Sequence, residues 1–245
     1  MKYIKFIIPF VLVVALICGG AVYVNDYSRA GETALSALES DGSVAVSEEV
    51  FGWYFDGPST ENALIFYPGG KVEETAYAPL LHKLAAQGVD VFLVKMPARL
   101  AFFGINKAFD ITNNFNYGRW YIGGHSLGGV AASSYVSENP DDFDGIILLA
   151  SYSTKELPST LDALLVYGSL DGVLNRESYE ESKKNLPADF TEEIIEGGNH
   201  AGFGSYGAQK GDNTAGIAPE TQTDETVKAV INFIDGKNKT PEKPE

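Results

Sequence analysis

Apolar residues recur along most of this chain in short continuous runs, separated by longer amphipathic segments. A short continuous apolar run predicts a strand that is buried on both faces of a sheet. Such runs occupy residues 63–67, 89–94, 120–123, 145–150 and 163–167, and a further strand is predicted at 190–195. Apolar residues at helical spacing predict helices within 77–84, 97–114, 130–135, 177–185 and 227–234. Because strands alternate with helices, we expect an α/β fold with a mostly parallel central sheet and helices on both faces.

The two ends of this domain are predicted from changes in composition. Residues 25–43 are polar and are expected to form a linker with a short helix, and the folded domain is expected to span 44–236. Two edge strands joined by a tight turn are predicted at its start, within 44–55. The charged, proline-containing segment 237–245 is predicted to be a disordered tail.

The first residues carry the pattern of a membrane anchor or signal peptide. Lys2 and Lys5 precede an apolar run over residues 6–24, which is long enough to cross a bilayer. The lysines favour an N-terminus inside the cell and a translocated body. We therefore expect a single-pass anchor in the cell membrane with an extracytoplasmic catalytic domain. Secretion after cleavage near Gly19-Gly20-Ala21 is the alternative, and it is less favoured because the apolar run continues beyond that site.

Charge and cysteine content exclude several classes of function. The net charge of −15 argues against a nucleic-acid partner, since nothing would neutralise the phosphates. Cys18, in the leader, is the only cysteine, so the domain has no thiol nucleophile and no cysteine metal ligand. With only three scattered histidines, we expect no metal and no cofactor.

The motif Gly124-His125-Ser126-Leu127-Gly128 is the strongest chemical signal. It lies between a predicted strand and a predicted helix, where a Gly-x-Ser-x-Gly sequence forms a sharp turn that exposes the serine hydroxyl. Ser126 is therefore the candidate nucleophile. The alternation of elements continues beyond it, and an aspartate and a histidine each follow a later strand.

A serine nucleophile needs a histidine base and an acid that orients the base. His82 is expected on the polar side of its helix and His125 is expected to point away from the attack direction of Ser126, which leaves His200, after the strand at 190–195. Asp171 is the candidate acid because it follows the strand that ends at Tyr167. The alternative for Asp171 is a turn-forming Asp-Gly pair.

The oxyanion of an acyl-transfer intermediate needs two backbone donors. We expect the amide of Leu127, directly after the nucleophile, and the amide of Gly70, in the loop after the strand at 63–67, with the amide of Lys71 as the alternative. Pro68-Gly69-Gly70 is otherwise a simple tight turn. The candidate substrate-pocket residues are Lys71, Met96 and Phe102. For Met96 and Phe102, a role in the apolar core is equally compatible with the sequence.

These residues together resemble the α/β-hydrolase superfamily over residues 44–235. The chain is more narrowly similar to the small dienelactone hydrolase (carboxymethylenebutenolidase)-like group, in the stretches 67–73, 124–129, 168–172 and 200–207. The resemblance implies an α/β-hydrolase fold and a triad in the chain order Ser126, Asp171, His200. Only residues 151–162 separate two predicted strands, which leaves no room for a cap domain. Segment 207–212 also resembles this group, but its residues indicate no role.

The resemblance departs from dienelactone hydrolase at the nucleophile, which is a cysteine in that enzyme and Ser126 here. This difference favours ordinary ester hydrolysis over lactone opening. The sequence therefore predicts a serine esterase for small acyl esters that works without a cofactor. An acyltransferase or peptidase with the same triad is one alternative, and a catalytically silent binding module on the hydrolase fold is another.

Overall fold

The computed structural model describes residues 12, 14, 19, 20 and 22–238 of the chain. Most of the predicted leader, and residues 239–245 of the predicted tail, lie outside the described residues. Within the described part, no helix combines the length and the apolar character that crossing a bilayer requires.

One sheet of eight strands forms the centre of the described chain. Its spatial order is β1-β2-β4-β3-β5-β6-β7-β8. The strands β1 and β2 run antiparallel to their neighbours, and all other neighbouring pairs are parallel. The strand bounds are β1 Ala45–Glu49, β2 Gly52–Asp56, β3 Asn62–Tyr67, β4 Val89–Val94, β5 Arg119–His125, β6 Gly145–Leu149, β7 Asp162–Gly168 and β8 Thr191–Ile195.

Helices cover both faces of this sheet, as the alternation of elements predicts. The helix bounds are α1 Glu32–Ser36, α2 Ala78–Ala86, α3 Lys107–Asn114, α4 Leu127–Glu138, α5 Arg176–Ser182 and α6 Pro219–Asn238. The helices α2 and α6 bury their apolar residues against one face, and α3, α4 and α5 do so against the other. The central strands β3, β4 and β6 are buried throughout, which explains their continuous apolar sequences.

The short connection between β6 and β7 confirms that the domain has no cap. Residues 150–161 join these two strands and form only turns and irregular backbone. The carboxyl ends of the parallel strands therefore meet loops of this one domain, at the edge where ligands bind in open α/β sheets.

Three details differ from the sequence prediction. Segment 26–31 is bonded to the domain and is not a free linker. Ser28 forms a parallel bridge to Val72, and the Gly31 amide donates to the Ser205 carbonyl. The last helix extends to Asn238, two residues into the predicted tail. The His82 side chain is only 15% exposed and lies 3.7 Å from the carboxylate of Asp41, so it is less solvated than expected.

Candidate active site

The turn between β5 and α4 holds Ser126 in a strained backbone conformation. Its φ is 51° and its ψ is −121°, a region that residues other than glycine rarely adopt. Two hydrogen bonds from the end of β6 hold this turn: the Ser126 amide donates to the Leu149 carbonyl at 2.9 Å, and the Ser151 hydroxyl donates to the Ser126 carbonyl at 2.7 Å. The strain is thus supported by the neighbouring strand.

The two outer glycines of the motif are required by close packing. A Cβ atom at Gly124 would lie 2.4 Å from the Tyr67 carbonyl oxygen, and one at Gly128 would lie 2.1 Å from the same atom. Because neither position has room for a side chain, the turn can lie directly against the end of β3. This contact places the loop that follows β3 beside Ser126.

The structure brings Asp171 and His200 together. Asp171 follows β7, His200 follows β8, and the Nδ1 atom of His200 lies 2.9 Å from Oδ2 of Asp171. Both side chains are buried, His200 at 1% exposure and Asp171 at 0%. The other carboxylate oxygen of Asp171 accepts hydrogen bonds from the amides of Val173 and Leu174, at 2.8 Å each.

These contacts decide the charge of Asp171. Burial acts to raise the pKa of this carboxyl group, but the hydrogen bond and the charge of His200, together with the amides of Leu174 and Val173, lower it by more. The net pKa of Asp171 lies below its ordinary value of 3.8. The carboxylate is therefore ionised at neutral pH and can accept the Nδ1–H of His200, which leaves Nε2 as the basic nitrogen.

No hydrogen bond joins His200 to Ser126 in the described structure. The Nε2 atom of His200 is buried and has no hydrogen-bond partner among the described residues. The ring of His200 lies against that of His125, with 4.5 Å between the ring centroids, and His125 directly precedes Ser126. In enzymes without substrate the bond between nucleophile and base is often long and tightens only when substrate binds.

His125 is a buried neutral side chain that connects the turn to the β3 loop. Its Nδ1 atom lies 2.8 Å from the hydroxyl of Tyr77, which also accepts a hydrogen bond from the Gly69 amide at 3.0 Å. Burial and the neighbouring His200 hold the pKa of His125 well below its usual range. This agrees with the prediction of a packing role for His125.

The two residues expected to supply the oxyanion donors are in contact. A Cβ atom at Gly70 would lie 2.8 Å from Cδ2 of Leu127, so the two residues are in close contact. The Lys71 amide donates to the Arg99 carbonyl at 2.8 Å and is therefore not available to a ligand. Of the two amides that the sequence left open after β3, the geometry favours Gly70.

Comparison with known proteins agrees with this architecture. Residues 63–224 match the Alpha/beta hydrolase family. The chain belongs to the alpha/beta hydrolase family. This span includes the turn at Ser126 and both loops that carry Asp171 and His200, and the family assignment makes the protein a hydrolase. The narrower resemblance to the dienelactone hydrolase-like group stays a prediction.

Solved structures of other family members share the fold at low sequence identity. A predicted CIB-like hydrolase from Thermoplasma acidophilum has a TM-score of 0.55 at 20% identity, covering 78% of this chain and 100% of its own. Est1E from Butyrivibrio proteoclasticus has a TM-score of 0.56 at 14% identity, with coverages of 79% and 100%. Mouse alpha/beta hydrolase domain-containing protein 10 has a TM-score of 0.59 at 12% identity, with coverages of 80% and 100%. No curated protein gave a significant sequence match.

The three candidate pocket residues of this hydrolase have different surroundings. The Lys71 ammonium group forms an ion pair with Asp26 at 2.8 Å. Met96 is buried in the apolar core, at 4% exposure. Phe102 is half exposed, on the short 3₁₀ helix Ala101–Phe103. Of the three, only Phe102 presents a large apolar surface to solvent.

Sequence reasoning missed several side chains that support the site of this hydrolase. Tyr77 looked like one residue of an apolar helix face, and nothing in the sequence indicated that its hydroxyl joins Gly69 to His125. Ser151 follows β6 and holds the Ser126 carbonyl. Gln222 in α6 binds both the amide and the carbonyl of Asn199, the residue before His200. Gln222 is buried, and the sequence did not indicate this because the predicted helix began only at Val227.

Proposed function

We propose that this hydrolase cleaves small acyl esters through Ser126, His200 and Asp171, with a covalent acyl-enzyme intermediate. The observation that carries the proposal is the hydrogen bond between His200 and Asp171 in a buried setting, which leaves the Nε2 atom of His200 without a partner. That atom belongs to a ring in contact with His125, adjacent to the strained Ser126. A base with one nitrogen oriented by a carboxylate and the other unpaired is what a serine nucleophile requires.

In the proposed reaction, Ser126 Oγ attacks the ester carbonyl while Nε2 of His200 accepts its proton. Asp171 stabilises the imidazolium that forms, without itself accepting the proton. The imidazolium then gives the proton to the leaving alcohol, and the C–O bond to that alcohol breaks. A water molecule, deprotonated by His200, attacks the acyl-enzyme and releases the acid and the free Ser126 hydroxyl.

The amides of Gly70 and Leu127 would stabilise the negative oxygen of both tetrahedral intermediates. The contact between Gly70 and the Leu127 side chain supports a shared role for the two residues. Donors fixed by the backbone need no reorganisation as charge develops, and one such donor is worth about 10²–10³-fold in kcat. The absence of a cap between β6 and β7 favours a small substrate in an open site.

The place of action is proposed from the leader. We infer an extracytoplasmic enzyme, tethered by residues 6–24 or secreted after cleavage. A fluorophosphonate that cannot cross membranes should then label the protein on intact cells or in their medium. Labelling that appears only after lysis would contradict this location.

The test of the chemistry is serine-directed labelling of the full chain. A fluorophosphonate should label the wild type and fail to label Ser126→Ala. The control is Ser159→Ala, which replaces an exposed serine and should be labelled to the same extent as the wild type. The wild type should also give a burst of p-nitrophenol with p-nitrophenyl acetate. Equal labelling of wild type and Ser126→Ala, or no labelling of either, would exclude the proposed mechanism.

A further inference from the structure

Segment 207–212, for which the sequence indicated no role, runs beside both loops of the candidate triad. Its last residue, Asp212, accepts a hydrogen bond from the Gly172 amide at 3.0 Å through Oδ1, and from the Ala201 amide at 2.8 Å through Oδ2. Gly172 directly follows Asp171, and Ala201 directly follows His200. One carboxylate therefore joins the loop of the acid to the loop of the base.

This link lies where the sheet no longer connects the two loops. The pairing of β7 with β8 ends at Gly168 and Ile195. Two further backbone hydrogen bonds follow, from the Ser169 amide to the Ile195 carbonyl at 2.9 Å and from the Leu170 amide to the Gly198 carbonyl at 2.8 Å. Beyond that point the connections are the bond between the Asp171 and His200 side chains and the bridge through Asp212. The bridge thus holds the backbone on the far side of the functional pair.

Asp212 is itself held in place. Its amide donates to the Gln209 carbonyl at 3.1 Å, and the following carbonyl, that of Asn213, accepts from the Asn199 side chain at 2.7 Å. Gly211, with a φ of 91°, supplies the left-handed conformation before it. A Cβ atom at Gly172 would lie 2.8 Å from the Gly211 carbonyl oxygen, so the segment approaches the acid loop closely.

We propose that Asp212 is a positioning residue that fixes the separation of Asp171 and His200; this rests on the proposed function of that pair. Its carboxylate contacts backbone amides only and acts on the imidazole through the backbone. Both of its oxygens accept hydrogen bonds from N–H groups, and a carboxylate is the side chain that accepts two such bonds without presenting a donor. A shift of about 1 Å in a catalytic group can reduce the rate about 10²-fold.

The experiment compares Asp212→Asn and Asp212→Ala with Asp189→Asn in the full chain. Asp189 is exposed, and its carboxylate makes no hydrogen bond within the described part of the chain, so its variant removes the same charge without the bridge. With p-nitrophenyl acetate, we expect Asp212→Ala to lower kcat by about 10- to 100-fold with KM within about twofold of wild type. Asp212→Asn should be intermediate, since its oxygen can keep one of the two bonds. Asp189→Asn should behave as the wild type.

A spectroscopic readout separates positioning from a general loss of stability. The His200 Nδ1 proton, which Asp171 binds, should give a downfield imidazole resonance in the wild type and in Asp189→Asn. It should broaden or disappear in folded Asp212→Ala because the bond is no longer held. A folded Asp212→Ala variant with wild-type kcat, or with an unchanged imidazole resonance, would overturn the proposal.

Amide exchange in the wild type keeps the test valid if the variants do not fold. The amides of Gly172 and Ala201 should exchange with solvent deuterium much more slowly than that of exposed Ala208. Exchange of both at the rate of Ala208 would show that the bridge does not form. If instead the wild type is not labelled at Ser126, the proposed function fails, while the resonance and the exchange rates still report on Asp212.

Discussion

Replacing Asp171 by asparagine separates the two tasks of its carboxylate. Oδ1 accepts the amides of Val173 and Leu174 and shapes the loop, whereas Oδ2 accepts Nδ1–H of His200. Asparagine can keep an oxygen toward the two amides, so the loop should keep its form. Its NH₂ group would then face the imidazole in place of Oδ2.

The size of the effect follows from the tautomer of His200. An NH₂ donor at 2.9 Å from Nδ1 requires that nitrogen to be the acceptor, and the ring proton moves to Nε2. A protonated Nε2 in a neutral ring cannot accept the Ser126 proton. Such a change with intact geometry lowers kcat about 10⁴-fold in serine proteases, which is about 5.4 kcal/mol of transition-state stabilisation. We expect a loss of this order with KM little changed.

The assay is steady-state hydrolysis of p-nitrophenyl acetate, with Asp189→Asn as the control for lost charge. Unfolding by urea as a function of pH adds a second readout. Because the pKa of Asp171 is lower in the folded state than the ordinary 3.8, its ionisation stabilises the fold above about pH 4, and this contribution is lost as the pH falls through the lowered pKa. Asp171→Asn should lack this component of the acid dependence.

The reasoning would be refuted by a folded Asp171→Asn variant whose kcat stays within tenfold of wild type. In that case Asp171 would be the turn-forming Asp-Gly residue that the sequence offered as the alternative. An equal loss in Asp189→Asn would instead point to a nonspecific effect of charge.

The remaining predictions concern stability. The pKa of His125 is depressed in the folded state, so folding favours its neutral form and the protein should lose stability as the pH drops below 6.5. Between pH 7.5 and 5.5 the wild type should lose about 1.4 kcal/mol more than His125→Asn in urea titrations. Equal losses would contradict this assignment. A truncation of residues 1–31 lacks the backbone hydrogen bonds of Ser28 and Gly31, which a truncation of residues 1–25 keeps. The longer truncation should have a Tm about 4–8 °C below that of the shorter one, because roughly 2 kcal/mol of hydrogen bonding is lost. An equal Tm in calorimetry would show that segment 26–31 contributes nothing to stability. The Cβ of Gly128→Ala would lie 2.1 Å from the Tyr67 carbonyl oxygen, so this variant should lower the free energy of unfolding by more than about 3 kcal/mol. A denaturation midpoint equal to that of the wild type would mean that β3 and the turn are less tightly packed.

Much of the fold was predictable because its signals are local. Strands such as β3 and β4 are buried on both faces and carry continuous apolar runs. The ends of elements were less predictable: α6 begins eight residues before its apolar stripe at Val227 and extends into a charged segment, since hydrogen bonding continues a helix where no apolar pattern marks it.

The docking of segment 26–31 could not be predicted for a different reason. Its backbone groups bond Ser28 to Lys71 and Glu73 and bond Gly31 to Ser205, and side chains add the ion pair of Asp26 with Lys71. Backbone groups are the same in every sequence, so composition alone favoured a linker. The same limitation applied to Asp212, whose carboxylate accepts from the backbone amides of Gly172 and Ala201, 40 and 11 positions away.

By itself the sequence determined the order of elements and identified Ser126 as the candidate nucleophile, because apolar patterning and turn chemistry act over a few neighbouring residues. It also narrowed the base to His200 by elimination. Only the tertiary structure decided that His200 meets Asp171, that the Lys71 amide is already bonded to Arg99, and that Tyr77 and Asp212 support the site. Those contacts join residues 28 to 48 positions apart in three cases and 11 in the last. Such contacts depend on how the strands of the sheet are placed side by side, which no local pattern of residues specifies.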